Sequence, residues 1–271
     1  MSLEKVVANL VQKIEYRFYG KYRGFVVDNA DPEQLGRLKV KVPSVLGNDV
    51  VTGWAVPCVP YGGDANQGFL FIPEVDAGVW VEFEEGDLEF PIWVGTFWSK
   101  PGGESELPKP NDADGSEQGS VQDPPTRKIL KTKAGHTIQL EDAGGEEMVT
   151  IVEAKNNNVI TMNKDGIKIT DGANGHKVVL DSSGIIISDG VSSDNKIIMK
   201  KSGLTVQDMN GNKIILGSSG IKVGSDHATE YFVKGTAFKA NVVSFLTALS
   251  THTHVGNLGG SHITACCSYE P

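Results

Sequence analysis

The sequence predicts an all-β protein in which a small closed barrel is followed by a stack of short strand repeats. The chain of 271 residues contains 32 glycines but few stretches of helical periodicity, which favours many turns and therefore β structure. Apolar residues alternate with period two through much of the first 100 residues. After residue 158, a strand–turn–strand pattern recurs at nearly constant spacing, as it does in repeat folds.

Composition and charge limit the class of protein. The length suits one large domain or two ordinary ones, and a hydrophobic fraction of 39% permits a core. A net charge of −9 argues against a surface that holds nucleic acid by neutralising phosphates. The chain lacks a charged start followed by an apolar segment, and it has no apolar run of about 18 residues. We therefore expect no signal peptide, no membrane span, and synthesis in the cytoplasm.

The first part of the chain divides into an arm and a barrel. Apolar residues recur at helical spacing through residues 1–15, which predicts a short N-terminal helix or arm. Residues 16–100 predict five short strands separated by glycine, asparagine and aspartate turns, and a closed barrel suits them because closure removes exposed strand edges. The predicted strands are YRGFVVD, GRLKVKV, TGWAVPC, GVWVEFEEGD and PIWVGTFW.

A linker and the repeat region follow. Residues 101–127 are polar and contain five prolines, which predicts an extended linker. The repeat region, residues 128–227, begins with a predicted hairpin around Gly144 and Gly145. Its four repeats align on Gly166, Gly184, Gly203 and Gly220, which lie 18, 19 and 17 residues apart. Each of these glycines is predicted to occupy a tight turn with positive φ, which costs a residue with a Cβ about 1 kcal/mol or more.

The repeats place apolar residues on one face of the predicted strands. Positions six and four before each glycine, and one and three after it, are apolar and share a face because side chains alternate along a strand. These residues are Ile160, Met162, Ile167 and Ile169; Val178, Leu180, Ile185 and Ile187; Ile197, Met199, Leu204 and Val206; and Ile214, Leu216, Ile221 and Val223. Lys168, Ile186, Thr205 and Lys222 lie between the last two positions of each repeat and should face outward.

A ribbon of this kind has one apolar side and is strongly driven to associate, because each side chain contributes roughly 1.5 to 3 kcal/mol when fully buried. Three ribbons around one axis would bury that side in a triangular prism. A single-chain solenoid stacked on itself is the alternative. The periodicity does not fix the number of chains.

Four long motifs, in order along the chain, carry a resemblance to a known family. They are YRGFVVDNADPEQLGRLKVKVPSVLG, WAVPCVPYGG, GFLFIPEVDAGVWVEFEEGDLEFPIWVGTFW and KAGHTIQLEDAGGEE. From Tyr16 to about Ser225 the chain resembles the central spike proteins of contractile tails, which include the gpV-type baseplate spikes of myophages and the VgrG spikes of type VI secretion systems. The resemblance implies an OB-fold barrel, a linker, and an intertwined trimeric β-helix that forms a needle beneath the tail tube.

The sequence departs from parts of this family in two places. Residues 101–127 are too few and too polar to hold a lysozyme-like insert, so the cell-wall hydrolase of some spikes is not expected. No large hub-like domain precedes Tyr16, so a separate hub protein is expected to join the spike to the tube.

The last part, residues 228–271, is predicted to contain a short helix and a tip or tail segment. Helical spacing of apolar residues ends near Ser250, and three such helices could bundle around one axis. His252 and His254 follow, and their spacing places both side chains on one face of an extended strand. In a trimer they would supply six imidazoles, enough for an octahedral transition-metal site. The resemblance implies iron there, since short phage spikes have iron tips.

Other interpretations of these histidines stay open at this stage. Both could be solvated residues of a flexible C-terminal segment. His262 stands beside Gly259 and Gly260, a pattern that is more typical of a turn than of a further metal ligand. A separate PAAR-type cone could cap the needle instead, and the histidines would then be less needed.

The sequence therefore predicts a non-enzymatic, homotrimeric, membrane-piercing spike of a phage tail or phage-tail-like injection particle. Its expected partners are a hub or baseplate protein, the tail tube, a PAAR-type tip protein and the envelope of the target cell. The alternative is a carbohydrate-binding or hydrolytic tail protein, which would need an exposed aromatic platform or an acid pair in a cleft. The sequence shows neither; Asp64, Glu74, Glu82 and Glu84 form no recognisable pair for glycoside cleavage.

Overall fold

A computed structural model of the chain describes residues 3–7, 11, 17–190, 195–225, 235–255 and 261–263. The chain forms two compact units, Met1–Leu107 and Pro108–Pro271. Residues 3–7 are helical, and most of the remaining predicted arm lies outside the described residues.

The first unit contains a five-stranded sheet with the order β2-β1-β4-β5-β3. Neighbouring strands are antiparallel except for β3 and β5, which are parallel. The strands are β1 (Tyr22–Asp28), β2 (Lys39–Lys41), β3 (Val56–Pro57), β4 (Gly78–Phe83) and β5 (Pro91–Thr96), with a short helix α1 (Pro43–Leu46) and 3-10 turns at Glu84–Gly86 and Pro101–Gly103.

The core of this unit is formed by every second side chain along its strands. In β4, Val79, Val81 and Phe83 point inward, whereas Trp80 lies on the opposite face and packs against Phe97. The buried cluster consists of Val26, Leu38, Val40, Val42, Ala55, Val79, Val81, Phe83 and Trp93. This half-barrel sheet around an aliphatic core fits the OB fold that the resemblance implies.

The second unit is dominated by one eleven-stranded sheet, in which each strand pairs antiparallel with the next strand along the chain. Its strands are β6 (Arg127–Lys131), β7 (Thr137–Glu141), β8 (Met148–Glu153), β9 (Asn158–Asn163), β10 (Gly166–Thr170), β11 (Lys177–Asp181), β12 (Gly184–Ser188), β13 (Lys196–Lys200), β14 (Gly203–Gln207), β15 (Lys213–Gly217) and β16 (Gly220–Gly224). The predicted hairpin around Gly144 and Gly145 is confirmed, since β7 and β8 flank it.

An antiparallel meander of this kind is an open sheet. A single-chain solenoid needs strands of successive turns to stack on one another, but each described strand pairs with its sequence neighbours. The last described elements are helix α2 (Gly235–Ser250) and a short hairpin of β17 (Thr253–Val255) and β18 (Ser261–Ile263). The predicted fold class, an all-β chain with a short C-terminal helix, is confirmed.

The repeat glycines begin alternate strands of the sheet. Gly166, Gly184, Gly203 and Gly220 have φ values of 135°, 142°, 140° and 120°. A Cβ on Gly184 would overlap the carbonyl oxygen of Met199 in the neighbouring strand, and the equivalent overlap occurs at two other repeats. The predicted positive φ is confirmed, and close backbone approach is a second reason for glycine.

Residues 108–127, part of the segment predicted as a linker, lie against the start of this sheet; we call them the strap. Asn111 is central, because its backbone N–H donates to Gln139 Oε1 (2.8 Å) and its carbonyl accepts from Gln139 Nε2 (2.5 Å). Thr161 Oγ1 donates to the carbonyl of Ala113 (3.0 Å), which extends the contact to β9. The strap therefore covers one face of β7–β9 and leaves the other face open.

Candidate functional site

The open face of the long sheet is the candidate site; we call it the apolar face. Strand register places its side chains in two rows that cross all eleven strands. The first row is Lys128, Leu140, Val149, Met162, Ile167, Leu180, Ile185, Met199, Leu204, Leu216 and Ile221. The second row is Leu130, Ile138, Ile151, Ile160, Ile169, Val178, Ile187, Ile197, Val206, Ile214 and Val223. Every residue of the second row and all but one of the first are apolar.

The apolar face is accessible in the single chain. Ile138 and Leu140 near one end keep 45% and 46% of their surface exposed, and Val223 at the far end keeps 49%. Directly opposed pairs such as Ile169 and Ile160 touch along the strands, but nothing in the described chain covers them from above. Proteins rarely leave a continuous apolar surface of this length in water, so the face is expected to be an interface.

The opposite face is mixed in character. Its central row includes Lys168, Ile186, Thr205 and Lys222, which lie on the face opposite the apolar rows, as the prediction that they face outward requires. Near β7–β9 this face carries Gln139, Thr150 and Thr161, and the strap buries all three. The two faces of the sheet therefore differ in chemistry, which indicates that only one of them packs against a broad apolar partner.

Charged side chains hold the first strands together on the face that the strap covers. Glu141 is 5% exposed and accepts hydrogen bonds from Arg127 Nε (2.6 Å), the Ala143 backbone (2.9 Å), Thr126 and Gln122. Burial raises the pKa of Glu141, but these hydrogen bonds to the carboxylate outweigh burial and lower that pKa to about 2. Glu141 is therefore ionised at neutral pH.

Aspartates organise the turns at the other ends of the repeats. Asp208 Oδ1 accepts the backbone N–H groups of Asn210 (2.9 Å) and Asn212 (2.8 Å), while its Oδ2 accepts from Asn212 Nδ2 (2.7 Å). Asp171 forms a similar turn with Asn174. These aspartate-capped turns were not predicted from the sequence, although an Asp stands five residues after three of the four repeat glycines.

The predicted metal ligands lie beyond α2. His252 is exposed and its backbone N–H donates to the Leu249 carbonyl (3.3 Å). His254 lies in β17, directly opposite His262 of β18 in the backbone register. Among the residues that the structure describes, no three His, Cys, Asp or Glu side chains gather in a group able to hold a metal ion. One chain therefore offers too few ligands, and the predicted site depends on further copies.

The barrel carries an open groove of about 920 Å³ beside an exposed aromatic cluster, formed by Tyr61, Phe69 and Phe71. The cluster was not predicted from the sequence, because its signal is the run FLF, in which apolar and polar residues do not alternate. Asp64 is the one carboxylate that lines the groove. Glu82, another of the four acids considered for glycoside cleavage, pairs with Lys21 elsewhere on the barrel (2.5 Å). The groove therefore holds no pair of these acids.

Comparisons with known families agree with this architecture. Residues 22–98 match the type VI secretion system/phage-baseplate injector OB domain, and residues 128–191 match the phage baseplate V C-terminal trimerisation domain. Together the matches cover just over half of the chain. None of the curated proteins compared with the chain matches it. In the described part, no helix is long and apolar enough to cross a membrane. Because both domains match in order and the sheet and barrel have the expected form, the chain belongs to the family of baseplate spike proteins of contractile tails, the gpV-type and VgrG-like spikes.

Proposed function

We propose that three copies of this chain pack their apolar faces around one axis and form the needle of a membrane-piercing spike. The observation that carries this proposal is the pair of apolar rows across β6–β16, in which Lys128 at the start of the first row is the one charged residue. Three sheets with one apolar side each can bury those sides in a prism and expose their mixed faces to water. The trimer is supported by the match of residues 128–191 to a trimerisation domain.

The needle extends beyond the matched residues. The match ends at residue 191, three residues after the end of β12, whereas the rows continue in the same register through β13–β16. Because register and residue type do not change, the same packing is expected to continue to Val223.

Packing of this kind suits a part that carries load. Burying the remaining exposed surface of each aliphatic side chain contributes on the order of 1 kcal/mol, and the rows repeat this contribution along the whole needle. A chain that is intertwined with two others cannot peel away without exposing the shared core. When the sheath contracts, the tail tube would push this stiff needle through the target envelope.

In this assembly the spike is attached to a separate hub or baseplate protein beneath the tube, and it works as a component of a virion or phage-tail-like particle. We propose that it is not an enzyme, because the groove of the barrel holds a single carboxylate and both matched families are structural baseplate domains. The alternative is an envelope carbohydrate-binding or hydrolytic tail protein. The exposed cluster of Tyr61, Phe69 and Phe71 is the one feature that favours carbohydrate binding, whereas the lack of an acid pair in the groove disfavours hydrolysis, and both family matches favour the spike.

We further propose that His252 and His254 form the tip of the needle and bind iron on the trimer axis. His254 lies in β17, and an extended backbone from residue 252 onward would put the two imidazoles on one face, so that three copies would bring six to one place. Imidazole nitrogens bind iron, zinc or nickel, so the coordination geometry of the six ligands would select among these metals. A PAAR-type tip protein is the competing cap for this end.

Native mass spectrometry of the purified chain tests both parts, because one spectrum reports chain count and bound metal. We expect three chains and one iron, and the double variant His252→Ala with His254→Ala should keep the trimer and lose the metal. A monomer would overturn the proposed needle. A trimer that stays free of metal after addition of Fe²⁺ would overturn the tip alone.

A further inference from the structure

We propose that helix α2 is a second trimerisation element, in which three copies of the helix form a parallel bundle beyond the needle. This inference rests on the proposed trimer. It concerns residues that neither family match covers, since the matches end at residue 191.

The helix cannot gain its stability within one chain. It has 16 residues and none of them is buried, so its apolar side chains pack against nothing in the described chain. Phe238 and Phe245 keep 60% and 65% of their surface exposed, and Leu246 keeps 55%. A helix of this length is marginal in water on its own, and helices in proteins are stabilised mainly by packing of an apolar face. The helix therefore needs a partner.

The spacing of its apolar residues matches a helical bundle. Phe238, Val242, Phe245 and Leu249 are separated by four, three and four residues, the alternation of a and d positions in a coiled coil. They form one stripe along a helix about 24 Å long. Leu246 lies beside this stripe and widens it. Thr247 and Ala240 lie on the opposite side, where the residues are small.

Continuity identifies second copies of the chain as the partner. Helix α2 begins eleven residues after the last strand of the sheet, whose apolar rows require other copies of the same chain. Three chains that share the axis of the needle bring three of these helices to the same end in parallel, so association costs little further entropy. Among the residues that the structure describes, no other element packs against the helix.

The composition of the helix disfavours a lipid surface as its partner. Lys239 is its single charged residue, whereas helices that lie on membranes carry several basic residues on their polar face. The helix is also shorter than the roughly 20 apolar residues that a membrane span needs. Its polar residues are serine, threonine and asparagine, which suit the outside of a short bundle.

Disulfide trapping in the full chain tests the inference. With Cys58, Cys266 and Cys267 replaced by serine, Phe245→Cys would place a thiol in the stripe, and Thr247→Cys would place one on the opposite side as a matched control. After oxidation with copper phenanthroline, we expect the Phe245→Cys protein to lose most of its monomer band to a linked dimer on a non-reducing gel. The Thr247→Cys protein should keep its monomer band.

The outcomes separate this inference from the proposed function. If neither variant cross-links although native mass spectrometry reports a trimer, the helical bundle is wrong and the needle stands. If no trimer forms, the proposed function fails and the bundle fails with it. Flotation with phosphatidylethanolamine–phosphatidylglycerol vesicles is the second measurement. Binding of the wild-type trimer that Phe245→Glu abolishes would make lipid the partner and overturn the inference, whereas no binding agrees with it.

Discussion

At the scale of single residues, the glycines that begin alternate strands are the most constrained positions of the sheet. Gly184 combines a φ of 142° with a close approach to the carbonyl of Met199. Few residues other than glycine adopt that backbone conformation, and none can add a Cβ there without moving the neighbouring strand. The constraint links a local turn to the spacing between strands.

Replacement of this glycine tests the constraint. We expect Gly184→Ala to destabilise the second unit by at least about 2 kcal/mol, because it adds both backbone strain and overlap. Thermal unfolding of the full chain measures the effect. Ser182→Ala, in the same turn and exposed, is the control and should change stability by less than about 0.5 kcal/mol. Equal stability of the two variants would contradict the structural explanation.

The buried carboxylate of Glu141 predicts a dependence of stability on pH. Its pKa is lowered to about 2 in the folded chain, so the unfolded state binds a proton more readily. The contribution of Glu141 to stability is therefore fully present above its ordinary pKa of 4.5 and is lost as the pH falls toward 2. Asp31 contributes in the same direction in the first unit, because Arg37 lowers its pKa.

Glu141→Gln should lower stability at pH 7 by about 1–3 kcal/mol and should flatten the loss of stability between pH 5 and 3. Thermal unfolding at pH 7, 5 and 3 measures both effects. Asp142→Asn is the neighbouring control, since its ion pair with Lys128 is exposed and should contribute less than about 1 kcal/mol. If the stability of Glu141→Gln fell with pH as that of the unmodified chain does, the carboxylate of Glu141 would not be the origin of the acid-dependent loss of stability.

At the scale of elements, the strap shows how a polar segment can hold the first strands in place. Gln139 is fully buried, and its side-chain amide satisfies both the N–H and the carbonyl of Asn111. Thr137 Oγ1 also donates to Asn111 Oδ1 (3.1 Å). Because buried polar groups that lose a partner are costly, this network makes the strap and the sheet stable together.

We expect Gln139→Ala to destabilise the strap and β7–β8 by about 2–4 kcal/mol, since it leaves the backbone N–H of Asn111 unpaired, leaves its carbonyl with the hydrogen bond from Arg127 alone, and opens a cavity. Hydrogen exchange should show faster exchange in β7 and β8. Gln118→Ala removes a surface hydrogen bond from the same segment to Asp112 and should cost about 1 kcal/mol or less. The same exchange rates in both variants would mean that the strap does not stabilise these strands.

At the scale of the whole molecule, the two faces of the sheet predict which surface joins the copies. Val206 and Thr205 are neighbours in β14, but Val206 belongs to the apolar face and Thr205 to the opposite one. In the proposed trimer, three copies of residue 206 lie near one axis, and three of residue 205 lie on the outside.

Val206→Asp should therefore weaken the trimer by about 3 kcal/mol or more per chain, because a carboxylate would be buried among apolar side chains. Thr205→Asp should change stability by no more than about 1 kcal/mol. Sedimentation velocity of the two variants, matched in charge, measures the assembly. If the trimer survived Val206→Asp but dissociated with Thr205→Asp, the copies would be joined through the opposite face and not through the apolar face.

The periodic features of this protein follow directly from its amino-acid sequence. Alternation predicted the barrel strands, and the spacing of the repeat glycines predicted the turns, the apolar positions and the outward row of Lys168, Ile186, Thr205 and Lys222. These features follow from local geometry, because side-chain direction repeats every two residues in a strand and glycine tolerates positive φ. The resemblance to contractile-tail spikes rested on motifs of the same regions.

Contacts between the non-periodic segments, in contrast, are seen only in the folded chain. It placed the strap against β7–β9, gathered Tyr61, Phe69 and Phe71 into an exposed cluster, and set His254 opposite His262 in the register of the last hairpin. It also joined all eleven strands in one open meander, so that two short apolar patterns became two continuous rows. Contacts between segments far apart in sequence depend on the path of the whole chain, and no local period encodes them.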